Sequence, residues 1–352
     1  MSTVVHERPG VYSTYDVSSA IWRGNGGKVV GLAALASQGE ANQVVRVTSY
    51  EEGMAAFGQD SESIKMAALL RLLFFNGASE VKAVRVADES HYGDAFTALS
   101  LEEGIDIVIC DSDVKTVQLL MRESIIMAAD ARRERIGIVG SVGESAAEMI
   151  ERAAAINHER MVLLGGDVLD ESGNVLGGIY AAAALAGRLS QISDPAVPVN
   201  GETLEGFGGV STAFSDNQID QLIRGGVTPL ETVSGVVSVV RGITTRTTTD
   251  DVEDTTWREL TTILIVDDVI PAVRNALRSR FSRKKNTAQT RGAIRSQVIM
   301  ELENKRAAEI IESYGDVAVS VDSADPTVCL VEFSFGVAHG LNQIYLTAHI
   351  TV

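Results

Sequence analysis

Three consecutive units, each a short apolar strand followed by a helix, constrain the fold of this chain most strongly. The strands read IDIVIC, RIGIVG and RMVLLG, and a helical sequence follows each of them. Strands that are apolar at nearly every position are buried on both faces, and their alternation with helices is typical of a parallel sheet covered on both sides. We therefore predict a layered α/β domain with a mostly parallel sheet over residues 23–200.

The last third of the chain has a different order of elements. Two long helical sequences, at residues 255–281 and 290–316, come before a group of strand patterns, and we expect Pro271 to kink or split the first helix. A run rich in Thr and Val at residues 234–249 is predicted to form one long strand. This order predicts a second domain of the α+β class over residues 201–342, with a small mixed or antiparallel sheet.

The last ten residues, QIYLTAHITV, alternate apolar and polar side chains up to Val352. A period of two predicts a strand with one buried face. Chain ends usually fray unless another segment holds them, and an unpaired strand edge is a template for another chain. We predict that residues 343–352 form a linking strand that pairs outside its own subunit. The alternative is a strand within its own sheet.

Length and composition exclude several classes of protein. A chain of 352 residues with 45% hydrophobic residues is large enough for two or three domains and is not a disordered protein. No apolar run reaches the length of a membrane helix, and the first residues lack the pattern of a secretory signal, so we expect folding in a cytoplasm. The two cysteines, Cys110 and Cys329, lie in apolar strand-like runs and are predicted to be buried free thiols.

Charge is unevenly distributed along the chain. The formal net charge of −17 argues against a nucleic-acid-binding protein. Residues 271–306, however, contain ten Lys or Arg and only two acidic residues. Cations near the end of a helix interact favourably with its dipole, but this accounts for only one or two of them. We therefore expect this basic segment to contact an acidic partner.

The most enzyme-like sequence is RIGIVGSVGES, in which a strand runs into Gly140, Ser141 and Gly143. Backbone N–H groups at such a helix start could hold a phosphate. The glycine spacing does not match the dinucleotide-binding motif, however, and the Lys-Ser or Lys-Thr pair of a P-loop does not follow it. A tight strand-to-helix turn is the simpler interpretation.

Other candidate catalytic or metal-binding residues do not combine into a site. The five histidines lack the spacing of metal ligands, and no serine lies in the motif of a nucleophile elbow. Asp267 with Asp268, and the acidic residues of segment 250–254, are predicted to be solvated, with a weak cation site as the alternative. We therefore predict that the chain is not an enzyme and has no catalytic, cofactor or metal site.

Several longer runs resemble contractile tail sheath proteins of phages and phage-tail-like bacteriocins. They are HERPGVY near the start, ASQGEANQVVRVTSYEEGMAAFG and FFNGASEVKAVRV in the α/β region, and LIRGGVTPLETVSGVVSVVRGITTRT, NTAQTRGAIRSQV and IYLTAHITV towards the end. The resemblance covers nearly the whole chain in order. It is strongest from about residue 218 onwards, and no single motif is diagnostic alone.

The resemblance implies a subunit that polymerises helically around a tail tube and contracts to drive the tube through a cell envelope. The α/β domain would face outwards, and the α+β domain would face the tube. Residues 1–22 and 343–352 would be linking arms, and the arms of two neighbours would add strands to the small sheet of a third subunit. The linking residues implied are Val4, Val5, Val11, Tyr12, Ile344, Leu346, Ile350 and Val352. The receiving strands are expected in GVVSVVRGITT and TVCLVEFSFGVA.

The same resemblance implies that the basic segment contacts the tail tube. The tube-facing residues implied are Arg278, Arg280, Arg283, Lys284, Lys285 and Arg291. Other expected partners are further copies of the chain, the baseplate and the tail terminator, without nucleic acid or direct membrane insertion. The sheath would be assembled in a bacterial cytoplasm and become part of a virion tail or a released particle. Two alternatives stay open: another self-assembling particle protein, such as a tube, terminator or capsid subunit, and a nucleotide-dependent α/β enzyme.

Overall fold

The computed structural model describes residues 27–61 and 64–342. The predicted linking residues Val4, Val5, Val11, Tyr12, Ile344, Leu346, Ile350 and Val352 lie outside these ranges. The described helices are α1 (Tyr50–Phe57), α2 (Met66–Phe75), α3 (Tyr92–Leu101), α4 (Lys115–Asp130), α5 (Ala146–Ile156), α6 (Gly178–Gln191), α7 (Asp216–Arg224), α8 (Leu260–Phe281) and α9 (Ala288–Ala307). The described strands are β1 (Val30–Leu35), β2 (Val44–Val47), β3 (Val81–Val86), β4 (Ile107–Cys110), β5 (Ile136–Gly140), β6 (Met161–Gly165), β7 (Val168–Leu169), β8 (Val175–Leu176), β9 (Thr203–Leu204), β10 (Gly209–Val210), β11 (Val227–Val233), β12 (Val236–Val239), β13 (Thr248–Thr249), β14 (Val252–Glu253), β15 (Ile311–Tyr314), β16 (Ala318–Val321), β17 (Cys329–Glu332) and β18 (Phe335–Val337).

A large sheet forms the centre of the molecule, with its strands in the order β2-β3-β1-β4-β5-β6-β11-β12-β9. The strands from β3 to β11 in this order run parallel, whereas β2, β12 and β9 pair antiparallel at the two sides. β4, β5 and β6 are buried along their whole length because helices cover both faces. α2 and α6 pack on one face, and α3, α4, α5 and α7 pack on the other. The predicted α/β layered domain with a mostly parallel sheet is confirmed.

The large sheet continues beyond residue 200, where the sequence analysis placed the boundary between the two domains. β9, β11 and β12 all follow that residue, and β11 pairs with β6 in parallel, with Val227 opposite Leu163. β11 fits beside β6 because its first four residues are buried like those of the preceding strands. A separate C-terminal core begins only within α8, at Ile265.

The run at residues 234–249 is not one long strand, contrary to the prediction. β12 covers only its first part, and the next strand of the chain, β13, has two residues. Between them, the hydroxyl of Thr244 donates to the carbonyl oxygen of Trp257 at 2.6 Å, and that of Thr245 donates to the carbonyl oxygen of His158 at 3.0 Å. These bonds satisfy buried polar groups without a strand ladder.

The C-terminal region consists of α8, α9 and a group of short antiparallel strands. α8 is one helix through Pro271, so the proline does not split it. Val269 and Val273, on either side of the proline, are buried, and their packing holds the helix together although the proline removes a backbone hydrogen bond. α8 and α9 share a core with the strands β15 to β18. The prediction of small antiparallel sheets in this region is confirmed.

Two further expectations concern the cysteines and membrane segments. Cys110 is a buried free thiol, and burial raises its pKa to about 12. Cys329 is free but only half-buried, because its strand β17 lies at the surface of the C-terminal region. Within the part of the chain that the structure describes, no helix combines the length and the apolar character needed to cross a membrane.

Candidate assembly surfaces

β15 to β18 form one antiparallel ribbon of two segments, residues 311–321 and 329–337, which we call the ribbon. β15 pairs with β18, and β16 pairs with β17. Between these two pairs, the N–H of Gly315 donates to the carbonyl oxygen of Ser334 at 2.9 Å, so the ladder is nearly continuous. The ribbon packs against α9, and its half-buried side chains extend the core shared with α8.

Both long edges of the ribbon lack a strand partner among residues 27–61 and 64–342. A two-stranded sheet is marginally stable in water, and an unpaired edge can pair with an added strand. β12, by contrast, pairs with β11 on one edge and with β9 on the other. Of the two runs expected to receive strands, GVVSVVRGITT is therefore already paired on both edges. TVCLVEFSFGVA, which contains β17 and β18, has an open edge among the described residues.

The six predicted tube-facing cations lie around the connection between α8 and α9. We call them the basic strip: Arg278, Arg280, Arg283, Lys284, Lys285 and Arg291. Only Arg291 is half-buried, and the other five are exposed. Arg280 donates to the amide oxygen of Gln297, and Arg291 donates to Oδ1 of Asn286 at 3.0 Å. None of the six pairs with a carboxylate in the described ranges, so the strip presents uncompensated positive charge.

The turn that resembles a phosphate loop is filled by the start of α6. A Cβ atom at Gly140 would lie 2.1 Å from the backbone of Gly178. Gly178 also donates its N–H to the carbonyl oxygen of Ser141 at 2.8 Å, and Ser141 is buried. Gly140 is therefore needed for the close approach of α6 to β5, which supports the tight-turn interpretation.

Asp267 is not solvated, contrary to the prediction. Its carboxylate accepts two hydrogen bonds from the guanidinium of Arg160, at 2.5 and 2.9 Å. Burial raises the pKa of this carboxyl, and the Arg160 charge opposes that shift. Asp268 is partly exposed and pairs with Lys305. Across the described ranges, no group of three or more His, Cys, Asp or Glu side chains is arranged to hold a metal ion.

Sequence reasoning missed the partners that hold α8 on the large sheet. Besides the Arg160–Asp267 pair, Arg274 of α8 pairs with Glu134 at 2.8 Å, and both side chains are largely buried. Arg160 directly precedes β6, and Glu134 lies two residues before β5. The sequence feature that could have indicated these pairs is a charged residue just before a wholly apolar strand. Such a residue lies at the end of the strand, where another element can cover it.

Two family models match the chain. The model of the phage tail sheath protein central domain matches residues 86–245, and the model of the phage tail sheath C-terminal domain matches residues 252–351. The chain belongs to the phage tail sheath family. Proteins of this family are structural components of the tail. The central-domain match ends shortly after β12, so it extends past residue 200 as the large sheet does.

Individual sheath proteins are similar to this chain in sequence or in fold. The tail sheath protein of Bacillus phage SP01 is 29% identical over 249 residues, which are 69% of this chain and 42% of that protein. The chain thus spans less than half the length of this relative. The sheath tail protein of Desulfitobacterium hafniense superposes with a TM-score of 0.70 at 11% identity, over 93% of this chain and 100% of that one. The helical sheath of the anti-feeding prophage in its contracted state gives a TM-score of 0.73 at 15% identity, over 98% and 99% of the two chains. These two structures share its fold.

Proposed function

We propose that this chain is a structural subunit of a contractile tail sheath. It polymerises helically around a tail tube and contracts to drive the tube through a target cell envelope. The observation that carries the proposal is the presence of both sheath family domains, in order, in a chain whose ribbon has two open edges among the described residues. A subunit with an incomplete sheet gains stability from its neighbours, so the polymer is the functional object.

The subunits are joined by strands that they exchange. Residues 1–22 of one neighbour and 343–352 of another each add a strand to an edge of the ribbon. Each main-chain hydrogen bond contributes about 1 kcal/mol net, so a short ladder with a buried face contributes several. Such a joint does not depend on the identity of the side chains. The arm that leads to it can swing while subunits rotate during contraction, and the neighbours stay linked.

The basic strip contacts the tube, so the C-terminal region faces inwards and the large sheet faces outwards. The strip is exposed and has no carboxylate partner in the described ranges, which favours an acidic partner surface. An exposed ion pair contributes about 0–1 kcal/mol and is screened by salt. Many weak contacts of this kind suit a surface that must hold the tube in the extended sheath and release it on contraction.

Other partners follow from the position of a sheath in a tail. The polymer contacts the baseplate at one end and the tail terminator at the other, without nucleic acid and without inserting itself into the membrane. The subunit has a mechanical role and no catalytic one. It is assembled in the bacterial cytoplasm and becomes part of a virion tail or of a released contractile particle.

Negative-stain microscopy of the purified chain and of arm variants tests the proposal. The full chain should form wide hollow tubes of the contracted type, whereas a tube, terminator or capsid subunit would form narrow tubes, rings or shells. Deletion of residues 343–352 should leave a folded monomer that no longer polymerises. Leu346→Asp with Ile350→Asp should reproduce the deletion, and Thr347→Ser with Thr351→Ser, on the other face of the predicted strand, should not. Ordered tubes from the deletion variant would contradict the strand-exchange role.

A further inference from the structure

Asn286, between α8 and α9, forms three hydrogen bonds to two other parts of the C-terminal region, the ribbon turn and α9. Its Nδ2 donates to the carbonyl oxygen of Pro326 at 2.9 Å and to that of Val328 at 3.3 Å, both at the turn of the ribbon. Its Oδ1 accepts from Nη1 of Arg291 at 3.0 Å, in the first turn of α9. The side chain therefore ties the α8–α9 connection to the ribbon turn and to α9 at once.

The cations next to Asn286 have few bonds of their own. Arg283, Lys284 and Lys285 are exposed, and no hydrogen bond or ion pair joins their side chains to a described residue. Two backbone bonds hold this stretch, from the N–H of Lys284 to the carbonyl oxygen of Phe281 and from the N–H of Thr287 to that of Lys285, at 3.0 and 2.9 Å. Neither bond reaches the ribbon. Within the described ranges, Asn286 is thus the side chain whose hydrogen bonds connect this part of the basic strip to the ribbon.

The acidic groups of the ribbon turn are already engaged locally. One oxygen of Asp322 accepts from the N–H groups of Ala324 and Asp325, at 2.7 and 3.0 Å. One oxygen of Asp325 accepts from the N–H and the hydroxyl of Thr327, at 2.8 and 2.6 Å. These carboxylates order the turn itself, so the bond between the turn and the α8–α9 connection depends on the neutral amide of Asn286.

We propose that Asn286 is a positioning residue that presents Arg283, Lys284 and Lys285 as a fixed array to an acidic partner surface. The proposal rests on the tube contact put forward as part of the proposed function. Individually weak exposed ion pairs add up only if the charges are held in place before binding, because ordering a mobile loop on binding opposes association. A loose connection would carry the same charge but bind an acidic tube less well.

Two substitutions separate the bonds that Asn286 makes. Asn286→Ala removes all three, whereas Asn286→Asp keeps an acceptor for Arg291 but places a carboxylate against the carbonyl oxygens of Pro326 and Val328. Asn304→Ala is a matched control, because Asn304 is an exposed asparagine of α9 whose side chain forms no hydrogen bond in the described ranges. All three variants are compared in the full chain.

The rate of limited trypsin digestion measures how firmly Asn286 holds the α8–α9 connection, and it needs no partner protein. Arg283, Lys284 and Lys285 are trypsin sites, and cleavage of a native protein follows the population of locally opened states. We expect cleavage here to be about five to thirty times faster in both Asn286 variants and unchanged in the control, which corresponds to the loss of about one or two hydrogen bonds. Equal cleavage rates in all variants would overturn the proposal.

The amount of extended sheath that forms on tubes tests the positioning role of Asn286. The probe is the tail tube of the same particle, stripped of sheath, and polymerisation of the chain alone is measured in parallel. Both Asn286 variants should polymerise alone as the parent does but form several-fold less extended sheath on tubes, with a larger deficit at higher salt. If they assemble normally while the triple reversal Arg280→Glu, Lys284→Glu and Lys285→Glu does not, the positioning role is wrong and the tube contact stands. If all of them assemble normally, the tube contact itself is wrong.

Discussion

Asp267 of α8 accepts both of its charged hydrogen bonds from Arg160, the residue immediately before β6, at 2.5 and 2.9 Å. The Arg160 side chain is only 3% exposed. Arg274, seven residues further along α8, pairs with Glu134. These two ion pairs join α8 to the starts of β5 and β6 in the large sheet. Paired buried charges fix one geometry between two elements, because any other arrangement leaves a charge without a partner.

The first prediction concerns the stability of this junction. Arg160→Met should lower the free energy of unfolding by about 3–5 kcal/mol, because it leaves the largely buried Asp267 carboxylate without its hydrogen-bonding partner. Burial then favours the protonated form of the Asp267 carboxyl, so the folded state binds this proton more tightly than the unfolded state does. The loss of stability should therefore be smaller at about pH 5 than at about pH 8. Urea unfolding at the two pH values measures both effects.

The double variant Arg160→Met with Asp267→Leu is the control for the first prediction. It removes both charges, and it should recover most of the loss because two apolar side chains replace the ion pair. Arg224→Met, on the exposed surface of α7, should change stability by no more than about 0.5 kcal/mol. A double variant that is less stable than Arg160→Met would show that the charges are not the cause.

The second prediction concerns the basic strip. Reversal of Arg280, Lys284 and Lys285 to Glu should prevent extended sheath from forming on tubes, because the strip would then repel an acidic surface. Polymerisation of the chain alone should persist. The matched control reverses Arg71, Lys115 and Arg224, three exposed cations of the α/β region, and equals the first variant in net charge. Electron microscopy of assembled tails compares the two, and normal extended tails from the first variant would refute the assignment.

The third prediction concerns the two glycines of the turn after β5. Gly140→Ala should destabilise the fold by about 3 kcal/mol or more, because the new Cβ would lie 2.1 Å from the Gly178 backbone and α6 would have to move. Gly143→Ala should cost only about 1–2 kcal/mol, since Gly143 has a φ of 65° but open space around its Cβ position. Thermal unfolding measures the difference. Equal destabilisation by the two substitutions would contradict the close approach of α6 at Gly140, and a nucleotide that binds the parent and neither variant would favour the enzyme alternative.

The fourth prediction concerns the pKa of Asp254, beside the hairpin of β13 and β14. Its carboxylate accepts from the hydroxyl of Thr249 at 2.6 Å and from the N–H of Thr256 at 2.9 Å, and these bonds lower its pKa from 3.8 to about 2. Because the folded-state pKa is depressed, the carboxylate stabilises the hairpin fully above the ordinary pKa. That contribution is lost as the pH falls through about 2.

Thr249→Val should therefore raise the pKa of Asp254 towards its ordinary value. NMR titration of the carboxyl carbon measures it directly, in a polymerisation-deficient variant that lacks residues 343–352. Thr247→Val is the control, because the Thr247 hydroxyl makes no bond to Asp254. An Asp254 pKa that is the same in Thr249→Val and in the parent would show that the threonine hydroxyl is not the main cause of the shift.

The fold of the α/β region could be predicted because its signal is local. Each of the strands β4, β5 and β6 is apolar over consecutive residues, and a helix follows each of them before the next strand of the large sheet. The basic strip could be predicted for the same reason, since its six cations are close together in sequence. The open edge of TVCLVEFSFGVA could not be read from its pattern, because the equally apolar GVVSVVRGITT is paired on both sides.

The order of residues alone thus determined the alternating strands and helices of the α/β region, because burial of one face or two imposes a period that is visible within a few positions. Only the tertiary structure decided which strands are neighbours and which charges meet. Arg160 and Asp267 are 107 residues apart, and β11 joins the sheet beside β6 from beyond the expected boundary. Such pairings depend on the shape and charge of surfaces built from distant segments, and no local pattern records them.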